Sequence, residues 1–168
     1  MWSETCANKL NEQINMELQA SYIYHYLFTY FNRNTVGFRN IANFFNKCSL
    51  EEREHAHMFI EYQNKRSGIV EFKDIVKPNI DFDDETFTML RAFELALELE
   101  HEVYLSLLEL HKTGEEANDP QFTDFIEGEF LKEQIDAMDE LKVYISQLTT
   151  IGSDGHGIWN FNENFNKE

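Results

Sequence analysis

Apolar residues recur at three- and four-residue intervals through four separate stretches of this chain, each long enough for roughly seven helical turns. A chain patterned this way folds by laying long helices side by side. The first stretch runs from Glu4 to about Asn32, with Leu10, Ile14, Leu18, Tyr22 and the run Tyr24 to Phe31 on one face. The second follows Asn32, Asn34 and Gly37 and carries Phe38, Ile41, Phe45, Cys48, His55, Phe59 and Tyr62 until Ser67-Gly68 ends it. The third is capped by Asp83 or Asp84, shows Phe87, Leu90, Phe93, Leu97, Glu100, Tyr104, Leu107 and Leu108, and closes near Gly114. In the fourth, Asn118-Asp119-Pro120 places a capping residue before a first-turn proline, and Phe122, Phe125, Ile126, Phe130, Ile135, Met138 and Leu141 lead to about Thr149.

Only 2 prolines and 7 glycines punctuate 168 residues, so few positions force a break. Helices of this length are on the order of 40 Å long, too long for a globin-like packing. Between Gly68 and Asp84 the alternation of Ile69, Val70, Phe72 and Ile75, with the Lys77-Pro78-Asn79 break, predicts an extended crossover. Short connections within each helix pair and one long crossover between the second and third helices define an all-α four-helix bundle whose halves are related by a pseudo-twofold. Ile158 to Asn166 is expected to add a short C-terminal fifth helix, and residues 1–168 read as a single domain.

The charge of -17, from 31 acidic against 14 basic residues, opposes partners built on phosphate or anionic lipid and favours cations. We expect no nucleic-acid and no membrane partner, since no segment approaches the roughly 20 apolar residues of a bilayer span. Cys6 and Cys48 are too few for a disulfide framework. With no basic and apolar start in Met1 to Lys9, they point to a soluble protein of the cytoplasm.

Acids on apolar helix faces carry the chemistry. Glu52 and His55 lie three apart on one face of the second helix, an arrangement that is weak evidence alone. Glu17 interrupts the apolar face of the first helix, with Tyr24 seven residues on; Glu100 does so in the third, and Gln134 sits at matching depth in the fourth. Buried acids are costly, and a shared multivalent cation compensates them. Di-iron bundles take one Glu from each of two helices and a Glu-x-x-His from each of the others. Here the last helix has Gln134 and Ala137 instead, so two unequal positions are expected: Glu17, Glu52 and His55 at one, bridging Glu52 with Glu100, water and Gln134 at the other. Oxygen and imidazole ligands with open positions suit ferrous iron that meets dioxygen.

The runs Asn15 to Tyr24 and Glu51-Glu52-Arg53-Glu54-His55-Ala56 resemble the signatures of the ferritin family, as do Gln63 to Arg66 with Gly68, Leu107 to Lys112, Asn118 to Pro120, Asp124 to Glu127 and Glu133-Gln134. The resemblance covers about Asn11 to Ile158 and is strongest to the catalytic, heavy-chain type of eukaryotic ferritin. It implies a ferritin-like fold and a ferroxidase centre of Glu17, Glu52, His55, Glu100 and Gln134, with Tyr24 hydrogen-bonded nearby. It further implies iron as the cofactor, two ions per subunit, and a homo-oligomeric twenty-four-subunit cage that oxidises ferrous iron with dioxygen and stores ferric mineral. Glu51 and Glu54 match part of the family's mineral-nucleating patch, with His57 replacing a further acid, and Asp124 and Glu127 match its acidic entry channel. A fifth helix at the fourfold axis would line its pore with an amide such as Asn162.

Blander roles stand beside these. Tyr24 and Tyr104 can be ordinary core tyrosines, Glu51 and Glu54 a solvated face with local ion pairs, and Asp124 and Glu127 exposed acids near a helix start. His57, His101, His111 and His156 read as surface residues. A storage shell that mineralises without oxidising would lack the full acid set, and a DNA-protecting relative would carry basic charge.

Overall fold

The computed structural model describes residues 1–165, so Asn166 lies outside the described residues. It is all-helical: α1 spans Glu4–Phe31, α2 Arg39–Lys65, α3 Met89–Glu116, α4 Pro120–Ile126, α5 Lys132–Ile151 and α6 Gly155–Asn164. A single π-helical turn, Glu127–Leu131, joins α4 to α5, so the two make one long interrupted helix. The expected four-helix bundle with a long crossover and a short fifth helix is therefore present. No helix among the described residues is long and apolar enough to cross a membrane.

Both ends of the bundle are closed by aromatic rings. At one end Phe31 stacks on Phe45, Phe45 tilts against Phe93, and Tyr144 packs on Phe165. At the other Trp2 meets Phe122 edge-on at 4.9 Å, and Tyr62 stacks on Phe125 at 4.2 Å. Such pairs add about 0.5–1.5 kcal/mol each beyond area burial. Arg66 lies over the Trp2 ring and pairs with Asp119, which also caps α4 by accepting from Phe122 N. Between these apolar ends the core turns polar, at the level of Glu17, Glu52, Glu100 and Gln134.

The crossover, from 66 to 88, has no regular structure and is held to α1 by two side-chain amides. Asn11 donates to Ile69 O and accepts from Glu71 N; Gln19 donates to Val76 O and accepts from Val76 N. Each amide thereby satisfies backbone groups that a sheet would otherwise pair. Ile69, Phe72 and Val76 are left exposed.

Several local expectations are corrected. The cap of α3 is Thr88, whose hydroxyl accepts from Arg91 N, while Asp83 and Asp84 precede it in a turn. Past α2 the left-handed residue is Ser67, at φ 61°, rather than Gly68. Gly68 leaves room for the Trp2–Gln63 hydrogen bond, since a Cβ there would press on Gln63 Oε1 and come within 2.8 Å of Trp2 Nε1, and those side chains would have to shift. Tyr22, Leu108 and Ile135, counted with core faces, are exposed. Downstream of the π turn, one extra residue rotates the helix by about 100°. Relative to Ile126 that rotation brings Gln134, Met138 and Leu141 round to the core face, whereas Ile135 lies off that face with or without it.

Asn162 does not stand free for a pore. It is buried, its Oδ1 accepting from Ile41 N and its main-chain oxygen from Asn40, which docks α6 on the start of α2. The first residues of a helix have N–H groups without intrahelical partners, and Asn162 supplies one.

Candidate metal centre

Four helices each deliver one polar side chain to the middle of the bundle. Glu17 on α1, Glu52 on α2, Glu100 on α3 and Gln134 on α5 are all at most 5% exposed. Each sits among apolar neighbours at helical spacing, so bundle packing itself drives it inward. Glu17, Glu52 and His55 each offer one ligand atom within 4.8 Å of the others, the geometry of a cation site. His55 Nδ1 is 3.1 Å from Glu52 Oε2 and 4.0 Å from Glu17 Oε2.

Glu100 completes the row beyond Glu52. It accepts hydrogen bonds from the Tyr24 hydroxyl and from Gln134 Nε2, and Gln134 also donates to Glu100 O at 2.9 Å. Gln134 thus meets the centre through its nitrogen, holding Glu100 in place. Tyr24 links α1 to α3 across the core while stacking on Phe45.

The electrostatics are those of acids without enough counter-charge. Burial first, and then the Glu52 charge, push the Glu17 carboxyl well above the usual carboxylate range. Glu52 is raised the same way by burial and then by Glu100. Glu100 is raised by burial, opposed by the hydrogen bonds from Tyr24 and Gln134. Glu17 Oε2 is buried with no hydrogen-bond donor. An acceptor stranded in this way is costly unless something positive meets it, and a divalent ion between Glu17, Glu52 and His55 would do so.

A cleft of about 990 Å³ opens from this centre, walled by Cys48, Glu51, Glu133, Glu140 and Tyr144 among others. Glu133 was not foreseen from the sequence, yet its Oε1 lies 3.4 Å from His55 Nε2. Its only sequence signal is adjacency to Gln134 in a helix whose phase the π turn alters. Cys48 is one turn before Glu52, and burial raises its thiol well above the ordinary range, keeping it protonated.

The structure does not bring the remaining candidates into this cluster. Glu51 lines the cleft and pairs with Lys47 at 3.6 Å, while Glu54 is exposed and outside the lining. Asp124 on α4 and Glu127 in the π turn are exposed. His111, read as a surface residue, is half-buried and reaches Glu127 Oε1 at 2.6 Å and Glu115 Oε2 at 3.7 Å.

A family model described as a Ferritin-like domain matches residues 7–151. The chain is 47% identical over 163 residues to a protein of Arabidopsis thaliana named Ferritin-2, chloroplastic, covering 96% of this chain and 64% of that one. It is 47% identical over 161 residues to Ferritin-2, chloroplastic, of Zea mays, covering 95% and 64%, and 45% identical over 163 residues to Ferritin-3, chloroplastic, of Glycine max, covering 96% and 63%. The chain therefore spans a little under two thirds of the length of these relatives. Their names overturn the expected cytoplasmic location. Cys6 and Cys48 are free thiols, and a free thiol does not single out one compartment.

Proposed function

The chain belongs to the ferritin family, and from that premise we propose that it binds ferrous iron at the centre between Glu17, Glu52, His55 and Glu100, oxidises it with dioxygen, and stores the ferric product as mineral inside an oligomeric shell. The observation that carries this reading is the convergence of two buried carboxylates, Glu17 and Glu52, on the His55 imidazole, with Glu17 Oε2 left without a donor and buried Glu100 on the facing helix.

In this reading iron is the substrate. One ferrous ion takes Glu17, Glu52 and His55; a second takes Glu52 and Glu100, whose orientation Tyr24 and Gln134 hold. Carboxylates stabilise the ferric over the ferrous ion because the charge they neutralise is larger, so the donor set itself favours loss of an electron. A pair of ions at adjoining positions delivers the electron pair that takes dioxygen to the peroxide level. Because Gln134 replaces a second Glu-x-x-His, the second position is held less tightly, which suits release of product toward the cleft and its acids Glu51, Glu133 and Glu140. Asp124 and Glu127 fit the role of exposed acids that draw cations toward the shell.

Assembly into a shell is supported by the apolar surface left uncovered, including Ile69, Phe72, Val76, Ile135 and Trp159. Adding ferrous ion without oxygen, admitting air, and following ferric absorbance with oxygen uptake tests the activity. Wild type is expected to oxidise rapidly and Glu52→Ala to lose most of the initial rate; equal rates would reject the proposal.

A further inference from the structure

One buried polar pair beside the centre has no part in the chemistry just described. Gln13, on α1 and 1% exposed, lies one turn before Glu17 on the same face. Its Nε2 donates to Glu17 Oε1 at 2.7 Å, and its Oε1 accepts from the hydroxyl of half-buried Ser106 on α3 at 2.6 Å. An ionised carboxylate only accepts, an amide offers a donor on one side and an acceptor on the other, and a serine hydroxyl can give its proton. When Glu17 is ionised, as a metal ligand is, Gln13 must offer it the amide nitrogen, which leaves the amide oxygen for the Ser106 hydroxyl, the orientation observed.

The consequence falls on Glu17. The terminal torsion of a glutamate is broad, so an unheld carboxylate presents either oxygen or both. Here Oε1 is committed to Gln13, while Oε2, without a donor, faces the side of His55. We propose that Gln13, oriented by Ser106, is a positioning residue that turns one oxygen of Glu17 to the metal and withholds the other. The inference rests on the centre proposed above.

Cobalt(II), whose visible spectrum reports ligand geometry, provides the test when titrated into the full chain and followed by calorimetry and absorption. Gln13→Leu is expected to weaken the tightest binding step by about 10- to 100-fold and to change the cobalt spectrum, the usual cost of removing a group that orients a metal ligand. Ser106→Ala is expected to shift both in the same direction by less, and Ser106→Thr, which keeps the hydroxyl, to restore them. If Gln13→Leu fails to fold, the Ser106 pair decides. Variants with a lowered melting temperature but wild-type affinity and spectrum would show a merely structural role and overturn the inference. Failure of the centre itself would look different: wild type would not bind cobalt, or Glu52→Ala would bind it equally well, and the inference would fall with it.

Discussion

Tyr24 on α1 donates its phenolic proton to the carboxylate of Glu100 on α3, 76 residues further along the chain. The bond ties the two halves of the bundle at the level of the proposed metal centre, and both partners are buried. Tyr24→Phe keeps the ring against Phe45 and removes only the donor. Hydrogen bonds to charged groups contribute about 1.5–3 kcal/mol, and thermal or denaturant unfolding of the metal-free variant should show a loss of that order. Oxidation should slow without vanishing, because Tyr24 holds a ligand rather than serving as one. A variant as stable as wild type would show the bond to be incidental.

Asp119 both caps α4 and pairs with Arg66, and the Arg66 guanidinium holds its carboxyl below the ordinary range. A depressed acid contributes stability that is present above its unfolded value and is lost as pH falls through its folded value. Asp119→Asn keeps the cap, since Asn serves there as well as Asp, and removes the charge. It should destabilise by about 1 kcal/mol near neutral pH, discounted for partial exposure. The difference from wild type should close on acidification below the aspartate range, as followed by unfolding at several pH values.

Asn162 fixes α6 through the N–H of Ile41. Asn162→Leu leaves that buried donor unmet, at a cost of about 1–3 kcal/mol. Hydrogen exchange at the Ile41 amide should accelerate while that in the middle of α1 stays unchanged. Uniform acceleration would show that α6 has no separate attachment.

The bundle and the inward-facing acids Glu17, Glu52 and Glu100 were legible in the sequence because their physical signals are strong. Four long apolar periodicities leave little choice of architecture, and Glu17, Glu52 and Glu100 stand out since a buried acid needs a reason. The finer features were not legible, each for a stated cause. The π turn at Glu127–Leu131 has no residue signature, yet it decides that Gln134 faces inward. Gln13 and Ser106 are ordinary on a helix until the third dimension places them together. Thr88 could not be preferred over Asp83 or Asp84 while any of them can cap a helix. The amide of Asn162 read as a pore residue because helical phase alone does not say which neighbour a short helix meets.

Protons and metal compete for Glu17 and Glu52, whose folded values burial raises, helped by the Glu52 charge at Glu17 and by the Glu100 charge at Glu52. The folded metal-free chain therefore holds protons that the unfolded chain has released. That contribution to stability is complete below the ordinary glutamate range and is lost as pH rises through the folded values, at up to about 1.4 kcal/mol per pH unit for each proton. From about pH 5 to about pH 8 the metal-free melting temperature should fall more in wild type than in Glu17→Gln. Zinc(II) should bind more tightly across the same interval and release protons to the buffer. Parallel melting curves for the two proteins would contradict this.

Diffraction at the iron absorption edge, from crystals soaked anaerobically in ferrous salt, asks where the ions go. The predicted result is iron within bonding distance of Glu17, Glu52 and His55, with a weaker neighbouring peak beside Glu100. Anomalous peaks confined to surface acids, with the three carboxylates still bare, would contradict the account.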